Sequence, residues 1–268
     1  MARRMPLLSR LRLFEDAEAW RRIGFNVSEA GVAHVGGVDI ELAGADCRDP
    51  AGWEFRSREG SGSRLKVDGI STRMSRFDAM SQTWTWEAGE AEHSNAAVGL
   101  YSVLVTAGDL QRTVQAMSES IFGPPARLLE KSPFSPKLSM AFFEAGSPGG
   151  TVVVEVLAPR TPGQVATLPG FPPIGGDPDA PARLAGLVVT VPSLEPVGEL
   201  LGEDALGYPR PAAQGQGRVL APLKHARVGL RSMMAFMTPP DREELEARAK
   251  AGTFGKGLAA HLSTGNTL

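Results

Sequence analysis

The spacing of apolar residues changes in a regular order between Gly99 and Pro159. Residues 100–106 form an apolar run bounded by glycines, which is typical of a buried strand. Asp109 then precedes a stretch of helical spacing that ends at Gly123, with apolar positions at Leu110, Val114, Met117 and Ile121. Three strand segments follow, at 126–131, 138–144 and 151–158. The pattern predicts a strand, a helix and three further strands.

The same order recurs in residues 183–239, which predicts a second copy of the unit. A strand at 184–191 is followed by Ser193, which we expect to cap a helix that runs to Leu201 and ends at Gly202. Three strands complete this copy, at 212–214, 218–223 and 233–238. The sequence therefore predicts paired units over 99–159 and 183–239.

A shorter copy opens the chain over residues 1–43. A strand at 7–14 leads to Asp16, a helix cap, and Gly24 occupies the position where a left-handed residue ends a helix. In that ending the two side chains expected in contact are Trp20 and Phe25. A hairpin completes the copy, with strands at 32–35 and 38–43.

The rest of the chain shows no further copy of the unit. Residues 44–98 are rich in Ser, Gly and Arg and contain three of the four tryptophans. This composition predicts an irregular segment with a strand or two near residues 53–58, followed by a linker. Residues 240–268 begin with an Asp cap and a charged stretch, which predicts a surface helix and a frayed tail.

Composition and charge narrow the classes of partner. The 268 residues include 28 basic and 30 acidic side chains, giving a net charge of −2. No excess positive charge is therefore available for a nucleic acid or an anionic membrane, and neither is an expected partner. Cys47 is the single cysteine, which excludes an internal disulfide and favours a reducing cytoplasm. The sequence shows no signal peptide and no apolar run of about 18 residues, so we expect a cytoplasmic protein that spans no membrane.

The tandem units resemble the vicinal oxygen chelate superfamily, also called glyoxalase-like proteins. The resemblance rests on Gly-Leu-x-x-Val-x-Val-x-x-x-Asp-Leu from Gly99, on Val-Glu-Val at 154–156 and on Ala-Phe-Met-Thr-Pro at 235–239. It covers residues 99–239 well and 7–43 in part. It implies an α+β fold of tandem βαβββ modules whose mixed sheet forms a cup, as in glyoxalase, bleomycin-resistance and dioxygenase proteins.

In that family a divalent metal lies in the cup on side chains from the first and last strand of each unit, typically His and Glu. The matching positions here are Ser102 and Glu155 in the middle unit and Gly186 and Ala235 in the final unit. Ser is a poor ligand, and Gly and Ala have no side-chain donor. The resemblance therefore implies neither a family-type metal site nor a cofactor in this chain.

The opening unit matches the same two family positions with Ser9 and Glu41, again without a histidine. Asp39 and Glu41 are two residues apart on a predicted strand, so their carboxylates point the same way. Two interpretations stay open for them, a solvated strand face or a cation site. The glycine-containing segment 215–218 lacks the spacing of a phosphate-binding motif and is interpreted as a turn.

Alternation along the strands predicts what the cup contains. Side chains two apart share a face, so Glu155 shares its wall with apolar side chains and Leu100 shares the face of Ser102. The residues expected to line a ligand-binding groove are Ser102, Leu104, Val153, Leu157, Gly186, Val188, Met233, Ala235 and Met237. Such a groove favours an apolar or aromatic small molecule, with the methionines adapting to its shape. The same pattern also fits a packed core under a helix or a neighbouring unit.

Glu155 stands among valines, and we expect the loss of hydration to raise its pKa. It is therefore the candidate catalytic residue, as a general acid or base. The alternative is a structural glutamate paired with an arginine or a backbone amide.

The residues leave two functions open. One is a metal-free protein that binds a small molecule in the cup. The other is an enzyme, a lyase, isomerase or dioxygenase, that works through Glu155 or through metal ligands that the pattern does not reveal. The opening unit either packs on the cup or mediates a homodimer.

Overall fold

The computed structural model describes residues 5–44, 51–57, 62–76, 92–168, 171–212 and 216–241. Within them, the first part of the chain forms β1 (Leu7–Leu13), α1 (Ala17–Arg22), β2 (Val32–Val35), β3 (Val38–Leu42), β4 (Gly52–Ser57), β5 (Ser63–Val67) and β6 (Ile70–Arg76). The middle part forms β7 (Gly99–Thr106), α2 (Leu110–Met117), β8 (Arg127–Leu129), β9 (Leu138–Ser147) and β10 (Gly150–Pro159). The last part forms β11 (Val165–Ala166), β12 (Ile174–Gly175), β13 (Arg183–Thr190), α3 (Glu195–Ala205), β14 (Arg210–Pro211), β15 (Val219–Pro222), α4 (His225–Val228) and β16 (Met233–Met237).

The middle and final units each fold as a strand, a helix and three strands, in the predicted order. In the middle unit, β10 lies between the parallel β7 and the antiparallel β9, and β8 pairs with the far side of β9. The final unit repeats this order with β13, β16, β15 and β14. Antiparallel pairing of β7 with β13 joins the two units into one mixed sheet, which we call the C-terminal pair. The predicted α+β fold of tandem βαβββ modules is confirmed.

The first part of the chain repeats this pairing in a shorter form, which we call the N-terminal pair. β3 lies between the parallel β1 and the antiparallel β2, and β6 lies between the parallel β4 and the antiparallel β5. Antiparallel β1 and β4 join the two halves, as β7 and β13 do further along. Residues 62–76 thus contain two strands, although the sequence pattern predicts a linker there. The pattern predicts a linker because the outer positions of these strands are polar and the segment has no apolar run. The division of the chain at residues 43 and 98 stays a prediction.

Local signals set both ends of α1 and the start of α2 as predicted, and a π-helical turn at Ser118–Phe122 continues α2 to the predicted stop at Gly123. The side chains of Asp16 and Asp109 cap α1 and α2 by accepting hydrogen bonds from backbone N–H groups in the first turn. Gly24 has φ 90°, and the N–H of Phe25 donates to the carbonyl of Trp20 at 3.1 Å. The rings of Trp20 and Phe25 lie 4.6 Å apart, as expected for a Schellman ending.

Other elements differ from the predictions. Gly202 leaves the helical conformation with φ 63°, where the sequence predicts the end of the helix, and a further helical turn after it extends α3 to Ala205. Strand β14 lies at 210–211, whereas the predicted strand at 212–214 falls mostly outside the described residues. The sequence pattern misses β11, β12 and α4, which are too short for a periodic signal. The predicted surface helix lies almost entirely in residues 242–268, outside the described residues.

Three first strands carry a β-bulge at equivalent places, and the bulged residues are Ser9, Tyr101 and Ala185. An extra residue in one strand reverses its alternation beyond that point. Leu100 therefore lies in the main core, and Tyr101 packs beside Val188 on the face of Ser102. The prediction that Leu100 shares the face of Ser102 is wrong for this reason.

The bulge in β1 also corrects the match made for the opening unit. Ser9 is buried, and its hydroxyl donates to the carbonyl of Glu54 at 3.1 Å. In the register of β1 with β3, Arg12 is the partner of Glu41. An arginine, not Ser9, therefore lies beside Glu41 on the same face.

The main core lies between the helices and one face of the sheet. Alternate residues of β7 and β10 are fully buried there, and the largest buried side chains include Trp20, Phe55, Phe143 and Phe236. Leu7 of β1 pairs with Gly146 of β9, which places both pairs in one sheet of 14 strands. None of the helices in the described parts of the chain has the length and apolar character that a membrane span requires.

Candidate functional site

The register of the C-terminal pair places the predicted groove residues on one face of the sheet. Glu155 lies beside Leu104, and Leu104 lies beside Gly186 on its other side. Gly186 in turn lies beside Met233. We call this face the cup, and its members are Ser102, Leu104, Val153, Glu155, Leu157, Gly186, Val188, Met233, Ala235 and Met237. Their part in ligand binding stays a prediction.

Protein side chains pack on the cup near both of its ends. At one end, the segment that carries β11 and β12 packs on Leu104 and Leu157 through Ala166, Leu168, Phe171 and Ile174. At the other end, Val188, Ala235 and Met237 pack with Tyr101, Ala212 and Leu220. Val153 and Met233 are half-buried, and the other cup residues are buried. Much of the predicted groove is therefore packed interior, with Glu155 in its wall.

Glu155 and Ser102 are the two polar side chains of the cup. Glu155 is 5% exposed, and burial raises its pKa from 4.5 to about 7, although the Ser102 hydroxyl that faces it opposes the shift. The Ser102 hydroxyl oxygen is fully buried and has no partner of good hydrogen-bond geometry. No described residue forms a salt bridge with Glu155, which is at variance with a structural glutamate held by an arginine. The Ser102 hydroxyl thus faces the buried Glu155 carboxyl group without a hydrogen bond of good geometry.

The positions that match the family's metal ligands come together, but they carry one carboxylate. Ser102, Glu155, Gly186 and Ala235 all lie on the cup. A Cβ atom at Gly186 would lie 2.4 Å from the carbonyl oxygen of Met233, so no side chain fits there without moving β13 from β16. Within the described ranges, no group of three or more His, Cys, Asp or Glu residues is arranged to hold a metal ion.

The described histidines do not lie at the cup, and two of them have hydrogen-bond partners elsewhere. His34 Nδ1 lies 2.7 Å from Asp39 Oδ1, and His93 accepts from the backbone N–H of Asn26 at 2.9 Å. His225 begins α4, away from the cup strands. None of these three histidines faces Glu155 across the sheet.

A positively charged side chain, that of Arg218, lies at the Tyr101 end of the cup. The guanidinium of Arg218 lies 5.0 Å from the centre of the Tyr101 ring, and burial lowers the pKa of Arg218. Gln216 and Gly217 form a turn as predicted, and Arg218 after them contributes a side chain to the cup wall, which the sequence did not predict. The bulge that turns Tyr101 inward depends on strand pairing, so the sequence carries no local signal for this contact.

A cavity of about 250 Å³ lies at the other end of the cup face. Thr106 and Arg183 are register partners on its floor, and Thr106 follows Leu104 by two residues on β7. Pro172 and Pro173 form part of its cover, and its other lining residues are Leu13, Phe14, Ala51, Leu184, Ala185, Arg231 and Ser232. The strand rise places Thr106 about 7 Å from Leu104, the neighbour of Glu155. The sequence did not reveal this cavity, because its walls come from segments far apart in the chain.

Paired units that share one mixed sheet, with a helix in each larger unit, define the fold of the vicinal oxygen chelate superfamily, and this chain has that fold. Among solved structures it is similar to a triple mutant of 4-hydroxymandelate synthase from Streptomyces coelicolor, with 11% identity and a TM-score of 0.51. That match covers 89% of this chain and 94% of the synthase. Methylmalonyl-CoA epimerase from Mycobacterium tuberculosis matches with 13% identity and a TM-score of 0.38, over 56% of this chain and 93% of the epimerase.

No family model and no curated protein matches the sequence. At these identities the likeness to the synthase shows a shared fold. The activity of this chain has to be argued from its own residues.

Proposed function

We propose that this protein binds a small apolar or aromatic molecule in the cup without a metal ion. The observation that carries the proposal is the buried pair of Ser102 and Glu155 on an otherwise apolar wall. A buried polar group without a partner costs about 1–3 kcal/mol. A ligand that supplies one hydrogen-bonding group to this pair would remove that cost, and its apolar body would match the surrounding wall.

The cavity at the Thr106 end supports a route to this pair. Its floor continues the cup face, and its cover is a short two-stranded segment that packs through a few apolar side chains. Its volume of about 250 Å³ suits a compact ring or a short aliphatic chain. Because the pKa of Glu155 is about 7, its carboxyl group can donate or accept a hydrogen bond at neutral pH.

We propose a site without a metal ion because of the residues that occupy the ligand positions. Metal sites of this superfamily would need donors at Ser102, Gly186 and Ala235, and these residues supply one neutral hydroxyl between them. The close approach of Gly186 to Met233 also leaves no space for a larger side chain. A small-molecule site lined by hydrocarbon and one carboxyl group is what remains.

A thermal-shift measurement with phenol, indole and cyclohexanol tests the proposal. A ligand at 100 times its dissociation constant adds about 2.7 kcal/mol to stability. We expect at least one probe to raise the melting temperature, and Ala185→Phe, which fills the cavity, to abolish that increase. Leu128→Phe, at an exposed position outside the cup, is the matched control. No shift with any probe, or an equal shift in Ala185→Phe, would contradict the proposal.

A second candidate function is proton transfer by Glu155 on the bound molecule. The observation that favours it is the pKa of about 7, which suits a general acid or base at neutral pH. In D₂O, a bound probe with an acidic C–H bond should then exchange that hydrogen in the wild type and not in Glu155→Gln. Nuclear magnetic resonance measures this exchange, and equal exchange in both proteins would leave ligand binding as the function.

A further inference from the structure

The N-terminal pair carries a face that corresponds in register to the cup but has the opposite character. Arg12 lies beside Gly52 across β1 and β4, as Leu104 lies beside Gly186 across β7 and β13. On the adjoining strand β3, Glu41 is the partner of Arg12, as Glu155 is the partner of Leu104 on β10. The equivalent face is therefore charged in the N-terminal pair and apolar in the C-terminal pair.

A cavity of about 260 Å³ lies on this charged face. Its charged lining residues are Arg10, Arg12, Arg64, Arg73, Glu41 and Glu54, and we call them the arginine face. Among the described residues, four guanidinium groups thus meet the two lining carboxylates and Asp39, which pairs with Arg10, in a chain whose net charge is −2. Such a local excess of positive charge attracts anions.

The carboxylates of this region hold the arginines in place. Arg12 lies 2.9 Å from Glu41, and Arg73 lies 3.9 Å from Glu54. Arg10 lies 3.2 Å from Asp39, which does not line the cavity. A guanidinium has five N–H donors, and the contacts of Arg10 with Asp39 and of Arg73 with Glu54 use one or two donors each, so these two arginines keep donors for a ligand.

Arg64 adds a positive charge that is not paired with any acidic side chain in the described part of the chain. It lies on β5 beside Arg73 of β6, and it forms no salt bridge with any described residue. Two neighbouring arginines repel each other unless an anion lies between them. The pairing of Asp39 and Glu41 with arginines also argues against the cation site left open by the sequence.

We infer that the arginine face binds the phosphate group of a small phosphorylated molecule. Its guanidiniums come from three different strands of the sheet, β1, β5 and β6, and so are spread across the floor of the cavity. A tetrahedral dianion presents oxygens in several directions, whereas a carboxylate presents two in one plane. The volume of the cavity holds a phosphate group and a short organic body. This site is separate from the cup and does not depend on the function proposed for it.

Isothermal titration calorimetry at low ionic strength tests this inference on the full chain. The probes are inorganic phosphate, glycerol 3-phosphate and succinate. We expect both phosphate probes to bind, with glycerol 3-phosphate the tighter if the organic body is recognised, and succinate to bind at least about tenfold more weakly than either. Arg64→Gln combined with Arg73→Gln should weaken phosphate binding at least about tenfold.

The matched control is Arg210→Gln. Arg210 is exposed on β14, at the opposite end of the sheet from β5, and its loss should change phosphate affinity less than about twofold. Ala185→Phe should leave phosphate binding unchanged, which separates this inference from the function proposed for the cup. No measurable phosphate binding, equal loss in Arg210→Gln, or succinate binding as tight as phosphate would overturn it.

Discussion

Glu155 shows at the scale of one residue how the fold decides an ionisation. Glu155 lies in β10, where its neighbours along the strand are mostly valine and leucine, and Leu104 of β7 lies beside it. Removal from water disfavours the charged carboxylate and raises the pKa of Glu155 to about 7. In the unfolded chain the same group titrates near its ordinary value of 4.5. The folded protein therefore binds this proton more tightly than the unfolded chain does.

This difference predicts a pH-dependent stability. Between pH 4.5 and 7 the unfolded chain loses the proton first, so the free energy of unfolding should fall as the pH rises through this range and level off above it. A shift of this size corresponds to roughly 3 kcal/mol. The free energy of unfolding of Glu155→Gln, measured relative to that of the wild type, should therefore be roughly 2–3 kcal/mol higher at pH 8 than at pH 5. Urea unfolding of both proteins at the two pH values measures the difference.

The control for this measurement is Glu144→Gln. Glu144 lies on β9 beside Val153, and its side chain is exposed. Its replacement should change stability by about the same small amount at both pH values. A difference between wild type and Glu155→Gln that does not vary with pH would show that Glu155 is not buried as described.

Sequence alternation could predict which residues share the cup, but not how open the cup is. The placement of Ser102, Glu155 and Gly186 on one face follows from the period of two in β strands. Burial of that face depends on Phe171 and Ile174, which lie in a segment with no periodic pattern. The arginine face was also beyond local reasoning, because its members come from several strands spread over residues 10–73.

At the scale of elements, the contact between β13 and β16 is tighter than a standard strand pair. A Cβ atom added to Gly186 would lie 2.4 Å from the Met233 carbonyl oxygen and 2.9 Å from its Cβ atom. Gly52 has the same relation to Ser71 between β4 and β6, with a distance of 2.2 Å to the Ser71 carbonyl oxygen. The second unit of each pair therefore has a glycine where its first and last strands meet.

Gly186→Ala should destabilise the protein, because the added methyl group forces β13 away from β16. Overpacking of this kind costs about 1–3 kcal/mol. Gly198→Ala is the control, since Gly198 lies in α3 with open space around it and alanine favours helix by up to about 1 kcal/mol. Chemical denaturation should show a lower free energy of unfolding than that of the wild type for Gly186→Ala and a higher one for Gly198→Ala. Equal stability of Gly186→Ala and wild type would contradict the close approach.

The elements that the sequence predicted best are those with strong local rules. Asp109 followed by helical spacing indicated α2, and Gly24 four residues after Trp20 indicated the Schellman ending of α1. Strands β5 and β6 were missed because Arg64, Lys66 and Arg73 make their outer positions polar. Their pairing with β4 is a tertiary interaction that hydrophobic patterning does not register.

At the scale of the whole molecule, polar contacts tie the N-terminal pair to the C-terminal pair. Asp68, in the turn between β5 and β6, accepts from Arg112 Nε of α2 at 2.8 Å and also contacts the Thr113 hydroxyl. The hydrogen bond from Arg112 to Asp68 raises the pKa of Arg112. Buried Glu15 accepts from the backbone N–H of Arg231 at 3.1 Å, just before β16. These contacts fix the orientation of the two pairs.

Asp68→Asn should therefore weaken the whole structure. It keeps the size of the side chain but removes the charge that holds Arg112, and loss of a hydrogen bond to a charged group costs about 1.5–3 kcal/mol. Asp204→Asn, at an exposed position near the end of α3, should be within about 0.5 kcal/mol of wild type. Guanidinium unfolding compares the three proteins, and equal midpoints for Asp68→Asn and wild type would contradict this role.

The chain thus presents two equivalent faces with different chemistry on one sheet of 14 strands. The cup of the C-terminal pair is apolar with one carboxyl group, and the arginine face of the N-terminal pair is charged. The function proposed for the cup does not involve a metal ion. Its basis is that Ser102, Gly186 and Ala235 occupy the positions where metal ligands would be needed, and these residues are poor ligands or have no side-chain donor.

Metal content is the decisive measurement for this part of the proposal. The protein is purified without chelator, incubated with iron(II), zinc, nickel or manganese, desalted and measured by inductively coupled plasma mass spectrometry. We expect less than about 0.1 ion per chain for each metal, because one carboxylate does not form a stable site. About one ion per chain that is lost in Glu155→Ala would contradict a metal-free cup.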